Sequence, residues 1–546
     1  MGHWAKPELD PDQTLMFYPT LRGSVAADHP VHLTDEILRK YDWSGWEAEY
    51  VLVEGQPPIH PRHLAGGIAY GMTGGIRSSR GLEEACRSRV DFMLLMEGRI
   101  PDHTTFSKFR TRHKVQIREL FRFLGRMALE MGLARLSGIA LDGTRVRANS
   151  SRHATATAPT IEERLAELDR RVAEMLEAAE AADREEDTLF GKEVTPHRLP
   201  KKLSDLQARQ ETLTKALAKV REAEARQARA ASQAPQAPGE EKKKEEGEAP
   251  PAPAKPKKAP KVPVADPDST IQPNKEGGFA PNYTPMAAVD THGGFILDAD
   301  VLADSDEAQA TVATVERIKE AHGAKPAEFL ADGKHGSGAT LAALDEGGVE
   351  AYIPLEGRRD RPESPAHRAD PTQPVPESDW PRLPRNPATK KLDRAAFVYD
   401  PAADVYYCPL GHPMPFHHKA KKEEKNSTVA NRIYRCAECA GCPLAGACLS
   451  GKVVARTVSR DEHEGLREAM DARLRTPEGR ATYKRRSWAS ETVFGCMKSV
   501  MRLRQFLLRG LDKVNTEWLW TCAAYNLRKL VWALARQRGY RWAAGA

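Results

Sequence analysis

Apolar positions recur every three or four residues through the first quarter of the chain. Leu82, Cys86, Val90, Met93 and Leu94 follow Ser79, a capping residue with Glu83 and Glu84 in the turn behind it. After Pro101, Phe106, Phe109, His113 and Ile117 follow Thr104 and Thr105 in the same way. The spacing predicts helices from about 30 to 130. The period then changes: Ile139-Ala140-Leu141 is a short apolar run closed by Asp142-Gly143, with Thr144 and Val146 at alternating spacing beyond it. Two heptad runs come next, Ile161 to Ala182 and Leu199 to Val220, with Pro196 and Pro200 where the second begins. Steps of four and three with charged flanks predict an antiparallel helical hairpin inserted into the core. Strand and helix patterns resume from 286. MAAVDTHGGFILDADVLA reads as two strands, 306–323 as a helix, FLADGK as a strand ending in Asp332, and 349–355 as another strand.

These changes divide the chain. The expected divisions are an N-terminal helical region over 1–130, of a size to pack as a small DNA-binding bundle, the first part of an α/β core over 131–158, and the hairpin over 159–228. Residues 229–275 are rich in Pro, Lys and Glu, with few bulky apolar side chains to offset ordering entropy, so a disordered linker is expected. The core continues over 276–356, a Pro-rich loop and Cys-rich insertion fill 357–455, and 456–546 completes the core with basic C-terminal helices.

Composition narrows the class. A hydrophobic fraction of 40% and a charged fraction of 29% suit a soluble protein with a polar segment. The start, MGHWAKPELD, lacks the apolar stretch of a secretory signal, and the apolar C-terminal segment is interrupted by Glu517, Asn526, Arg528 and Lys529. No membrane association and a cytoplasmic, nucleoid-associated location are expected. Residues 481–546 carry thirteen Lys and Arg against three acids, a balance that suits either a phosphate backbone or a solvated helix face.

Asp332 repeats the arrangement at Asp142: apolar run, Asp, Gly. Turn chemistry alone explains an Asp-Gly pair. A third acid, Glu491, lies on a predicted helix among Lys484, Arg485, Arg486 and Lys498. Carboxylates brought together repel, and a divalent cation removes that penalty. Two such ions can activate an attacking hydroxyl and stabilise the leaving oxygen of a phosphodiester.

The blocks GQPPIHPRHLAGGIAYGMTGGIRSSRGLEEACRSRVDFMLLMEGRIPDHTTFSKFR, ALDGTRVRANSS, FLADGKHGSG and YKRRSWASETVFGCMKSVMRLRQFLLRGLDKV together resemble the DDE transposases of bacterial insertion sequences, in the subgroup with a Cys-rich insertion. The resemblance implies an RNase H-like mixed sheet flanked by helices, with Asp142, Asp332 and Glu491 as catalytic acids holding Mg²⁺ or Mn²⁺, two ions in all. Tyr483, Arg486, Glu491 and Lys498 correspond to the family's Tyr/Arg/Glu/Lys signature. Four residues separate Arg486 from Glu491 where the widest form of the signature has three, so Arg485 is the alternative to Arg486. Tyr483, Arg485, Arg486 and Lys498 are the expected DNA contacts. The partners implied are transposon-end inverted repeats and target DNA, bound by a homodimer or larger assembly. The implied reaction is hydrolysis of one strand at each end, then attack by the freed 3′-hydroxyl on another phosphodiester. A non-catalytic DNA-binding descendant and a nuclease that does not join strands are the alternatives. Trp488 either stacks on an unpaired base or is core.

Five of the eight cysteines, Cys408, Cys436, Cys439, Cys442 and Cys448, fall within a short stretch. A structural zinc site is expected there, against reduced free thiols, with His412, His417 and His418 as substitute ligands. Such a module would present Lys419, Lys421 and Lys422 to DNA. Cys86, Cys496 and Cys522 read as core residues.

Overall fold

The computed structural model describes residues 20–50, 57–190, 201–232, 259–273, 277–302, 310–355, 364–424, 427–451 and 453–543. The expected reversal of the hairpin and most of the Pro/Lys/Glu-rich linker fall outside the described residues.

Among the described residues seven helices come first: α1 (Pro30–Arg39), α2 (Ser44–Glu47), α3 (Pro61–Thr73), α4 (Ser79–Ser88), α5 (Val90–Leu95), α6 (His103–Arg112) and α7 (Lys114–Glu130). Ser78, one residue before the expected cap, accepts the Gly81 N–H at 3.0 Å to start α4. The single helix expected through Leu94 is broken at Arg89, whose backbone is extended. Asp91 accounts for the break, holding the Arg89 guanidinium at 2.5 Å and accepting the Phe92 N–H at 3.0 Å. At α6 the cap is Asp102, not Thr104 or Thr105; its carboxylate accepts the Thr104 N–H at 2.7 Å.

The sheet begins with β1 (Gly138–Gly143) and β2 (Val146–Arg147). After β3 (Thr155–Ala156) come the paired helices α8 (Ala158–Phe190) and α9 (Lys201–Ser232), then β4 (Val262–Pro263), β5 (Thr270–Pro273), β6 (Phe279–Asp290) and β7 (Ile296–Leu302). Helix α10 (Ala310–His322), β8 (Glu328–Leu330), α11 (Gly338–Glu346) and β9 (Glu350–Tyr352) complete this part. Strands β7, β6 and β1 are antiparallel neighbours, and β8 and β9 extend the sheet in parallel from β1. The linker expected to 275 stops short of that. Residues 262–273 form β4, which pairs with β3, and β5, which pairs with β6. Asp266 gives this segment its anchor, because its buried carboxylate accepts from the Tyr283 hydroxyl at 2.6 Å and the Gly510 N–H at 3.0 Å.

A second, smaller core belongs to the Cys-rich insertion: β10 (Val398–Asp400), β11 (Val405–Tyr407), β12 (Pro413–Glu424), β13 (Ser427–Arg435), the short α12 (Ala445–Cys448) and β14 (Thr457–Asp461). Tyr406, Tyr434, Met414 and four of the cysteines are buried within it. Three long helices follow, α13 (Glu464–Arg475), α14 (Pro477–Ser499) and α15 (Leu511–Gln537).

Helix α15 runs through the centre of the molecule, packed on α7, α3, α1 and β7. Trp520 meets Trp46 of the N-terminal helices, while Trp518, two residues earlier, donates its indole N–H to the Met286 carbonyl of β6 at 2.9 Å. The N-terminal helices and the sheet therefore share one core. The charges that interrupt α15 are engaged inside the protein. Buried Glu517 pairs with Arg77 at 2.5 Å and accepts the Leu507 and Leu508 N–H groups. Lys529 lies over Phe295, and burial pulls its pKa down. The basic excess of the last segment is thus not one exposed face of α15. Among the described residues no helix is long and apolar enough to cross a membrane.

Candidate active site at the ends of two parallel strands

Strand β1 pairs in parallel with β8, Ala140 opposite Leu330. Continuing the register two places sets Asp142 and Asp332 level at the carboxyl ends of neighbouring strands, whose spacing is about 4.8 Å. Crevices outside such ends are where open α/β sheets hold ligands.

The two acids are fixed differently. Asp142 is itself in the strand: it faces Ala287 of β6, Gly143 faces Met286, and three residues on Val146 faces Tyr283 in unbroken register. The expected Asp-Gly turn is absent here, because β6 is long enough to pair with both β1 and β2. Asp332 does stand at a turn. Its carboxylate accepts the Lys334 N–H at 3.1 Å and caps a 3₁₀ turn over Gly333–His335. His335, buried, lies with Nε2 3.7 Å from Asp332 Oδ1, and its Nδ1 bonds the Thr311 hydroxyl at 2.9 Å. His335 carries no spacing or composition signal that would mark it in the sequence.

Helix α14, capped by Thr476, packs against β1, β6 and β9. Its buried stripe of Ala489, Val493 and Met497 packs inward. Arg486 reaches Asp142 Oδ1 at 3.2 Å, and the Lys498 ammonium donates to the Thr144 hydroxyl. Tyr483, half-buried, has its hydroxyl pKa raised chiefly by burial; the Arg486 guanidinium opposes this, and the Asp332 and Asp142 carboxylates add to it. Both aspartates, Tyr483 and Arg486 therefore share one neighbourhood. Arg485 points elsewhere, to Glu328 at 2.7 Å. The geometry thus separates the two arginines that the four-residue gap left open.

Glu491 is exposed, and it stands two turns before Lys498 on one stripe of α14. Among the described residues, the groups of three or more ligands close enough to share one ion are Cys408–His412–Cys436 and Glu83–Asp102–His103. The three acids do not form such a group, and Arg486 holds the charge of Asp142. Trp488, also exposed, has its ring edge close to Gly294.

In the Cys-rich core all five cysteines line a cavity of about 20 Å³ with Arg456. The ligand atoms of Cys408, His412 and Cys436 lie within 4.8 Å of one another. His412, expected only as a substitute, is thus brought to the cysteines, while His417 and His418 are exposed and bond each other at 2.7 Å. Cys439 Sγ accepts the Arg456 N–H at 3.4 Å. The Cys436 thiol, donating to Cys408, draws the Cys408 pKa down, and the backbone N–H groups of His412 and Leu410 help. Burial pushes Cys448 up to about 11.

Residues 407–531 match the family model of the transposase DDE domain, and residues 20–112 match that of a transposase domain (DUF772). The first span includes Glu491 and the signature residues around it; Asp142 and Asp332 lie before it. No curated protein and no solved structure matches the chain. Matched in chain order, the two transposase domains support a DDE transposase of the insertion-sequence type.

Proposed function

We propose that the protein cleaves DNA at transposon ends and joins the freed ends to new sites, using Asp142, Asp332 and Glu491 as its catalytic acids. The observation that carries this reading is that Asp142 and Asp332 each follow the Ala140–Leu330 pair of neighbouring parallel strands by two residues, with Arg486 of the helix bearing Glu491 reaching Asp142. Antiparallel β7-β6-β1 followed by parallel β8 and β9 supports an RNase H-like core. The donor set is all carboxylate oxygen, which fits a hard divalent cation. Mg²⁺ or Mn²⁺ held there would supply an activated hydroxide and a counter-charge for the leaving oxygen.

The chain's own residues have separate tasks. Asp142 and Asp332 hold their carboxylates at rigid strand ends, one fixed by the ladder and one by its cap. His335 positions Asp332 from behind. Arg486 and Tyr483 set the charge around Asp142, and Lys498 ties α14 to the end of β1. In the first step water adds to a phosphodiester and the 3′-oxygen leaves, taking a proton. In the second, that 3′-hydroxyl attacks another phosphodiester, which releases its own 3′-oxygen. DNA ends as substrate and paired copies of the chain as the acting assembly complete the reading. The test is cleavage of terminal inverted-repeat DNA by purified protein with Mg²⁺ or Mn²⁺. Asp332→Asn is expected to bind and not cleave, and undiminished cleavage would overturn the assignment.

The Cys-rich core fits a structural zinc ion. Cys408, His412 and Cys436 would hold it with one further thiol from the same cavity. The expectation is one zinc per chain by metal analysis; protein free of zinc as purified under reducing conditions would count against the site.

A further inference from the structure

Five arginines outside the acid site have no ion-pair partner among the described residues, and the fold lines them up. Residues 147–149 and 504–509 run side by side: Arg147 donates its N–H to the Arg504 carbonyl at 3.4 Å, and Phe506 donates to the Arg147 carbonyl at 2.8 Å. Asn149 donates its amide to the Leu507 carbonyl, and the Arg509 guanidinium donates to the Asn149 carbonyl at 2.8 Å. Arg147, Arg504 and Arg509 are exposed on this double ridge. It leads to the foot of the α8–α9 hairpin, where Arg509, Arg164 and Arg209 line a cavity of about 440 Å³ with no acidic residue in its wall. Other arginines of the hairpin are tied to glutamates, Arg221 to Glu162 and Arg226 to Glu222.

We propose that this strip is a track for the backbone of duplex DNA, running from the end of β1 to the hairpin, which forms its second wall. The inference rests on the DNA-cleavage reading and adds where the duplex lies. Arg147 is five residues beyond Asp142 along one ladder, roughly 16 Å at strand rise, so the track begins beside the acids. Unpaired guanidinium groups crowded on one surface repel each other, and a phosphate backbone relieves that repulsion while releasing counterions. Arg509 presents its fixed fork at the junction of ridge and hairpin.

The test uses the full chain and a fluorescent duplex of arbitrary sequence, without divalent metal, titrated across a range of salt. In the double variant Arg164→Ala/Arg209→Ala, the slope of log affinity against log salt is expected to be shallower by about two, since each phosphate left without its arginine takes away about 0.9. Affinity at moderate salt should fall by about tenfold or more. Arg226→Ala, on the same hairpin but paired with Glu222, should leave both unchanged. If the wild type binds and the double variant matches it, the track is wrong while the cleavage reading stands. A loss as large in Arg226→Ala would reduce the effect to general charge and also overturn the track. A wild type that binds no duplex removes both readings together.

Discussion

Asp142-Gly143 and Asp332-Gly333 are the same dipeptide after the same kind of apolar run, yet one continues a strand and the other starts a turn. The difference lies in the neighbours. Strand β6, Phe279–Asp290, offers partners beyond Gly143, and the ladder carries on into β2. Strand β8 has only short pairings, ending at Leu330 on both sides, so the chain is free to fold over Asp332. Tertiary pairing overrides the turn preference in one case and lets it act in the other. Two chemically equivalent carboxylates are thereby held by different means, and that asymmetry can be tested.

The largest expected effect should show no asymmetry. Asp142→Asn and Asp332→Asn are each expected to lower metal-dependent cleavage by about a thousandfold or more, as removal of a group central to transition-state charge does. A variant of either that keeps near-native cleavage would break the equivalence. Next, His335→Ala removes the ring beside Asp332 together with its bond to Thr311, and should reduce cleavage about 10–100-fold, the usual cost of losing a supporting residue behind a ligand. Arg485→Ala, whose partner is Glu328, should leave the cleavage step itself unchanged. Thermal unfolding then separates the two aspartates. Asp142→Ala strands the guanidinium of Arg486 and should cost about 1–2 kcal/mol, much of it recovered in Asp142→Ala/Arg486→Ala. Asp332→Ala removes a cap and should cost about 1 kcal/mol, recovered by Asp332→Asn, which still accepts the Lys334 N–H.

Much of the site is legible from residues alone, because apolar runs ending in acids are short-range signals. Asp142 and Asp332 can be picked out this way, Glu491 by the basic residues around it on its helix, and the paired helices α8 and α9 by their heptads. What escapes is set by distant contacts. Asp266 lies in a Pro-rich polar stretch and becomes ordered only through Tyr283 and Gly510, which are remote in sequence. The break at Arg89 depends on a side chain two residues away that competes with the helix, and the helical periodicity runs straight across it. The basic C-terminal segment misleads for a related reason. Charge counts do not reveal that Lys529 sits over aromatic rings of the core, or that Arg502, Arg504 and Arg509 are exposed on the loop before α15.

One further feature is the short β3–β4 ladder. Thr155 pairs with Pro263 and Ala156 with Val262, so the chain leaves for its excursion of helices and returns at adjacent positions. The excursion has a small apolar cluster of its own, with Ile161, Leu213, Ala216 and Val220 buried beside Ala156. Its doorway is about as wide as one strand spacing, whatever lies beyond it. Such a doorway makes the excursion a cassette: it can be shortened, lengthened or exchanged for a tight turn without moving the strands that carry Asp142 and Asp332. Selection can therefore reshape the arm while leaving the chemistry in place.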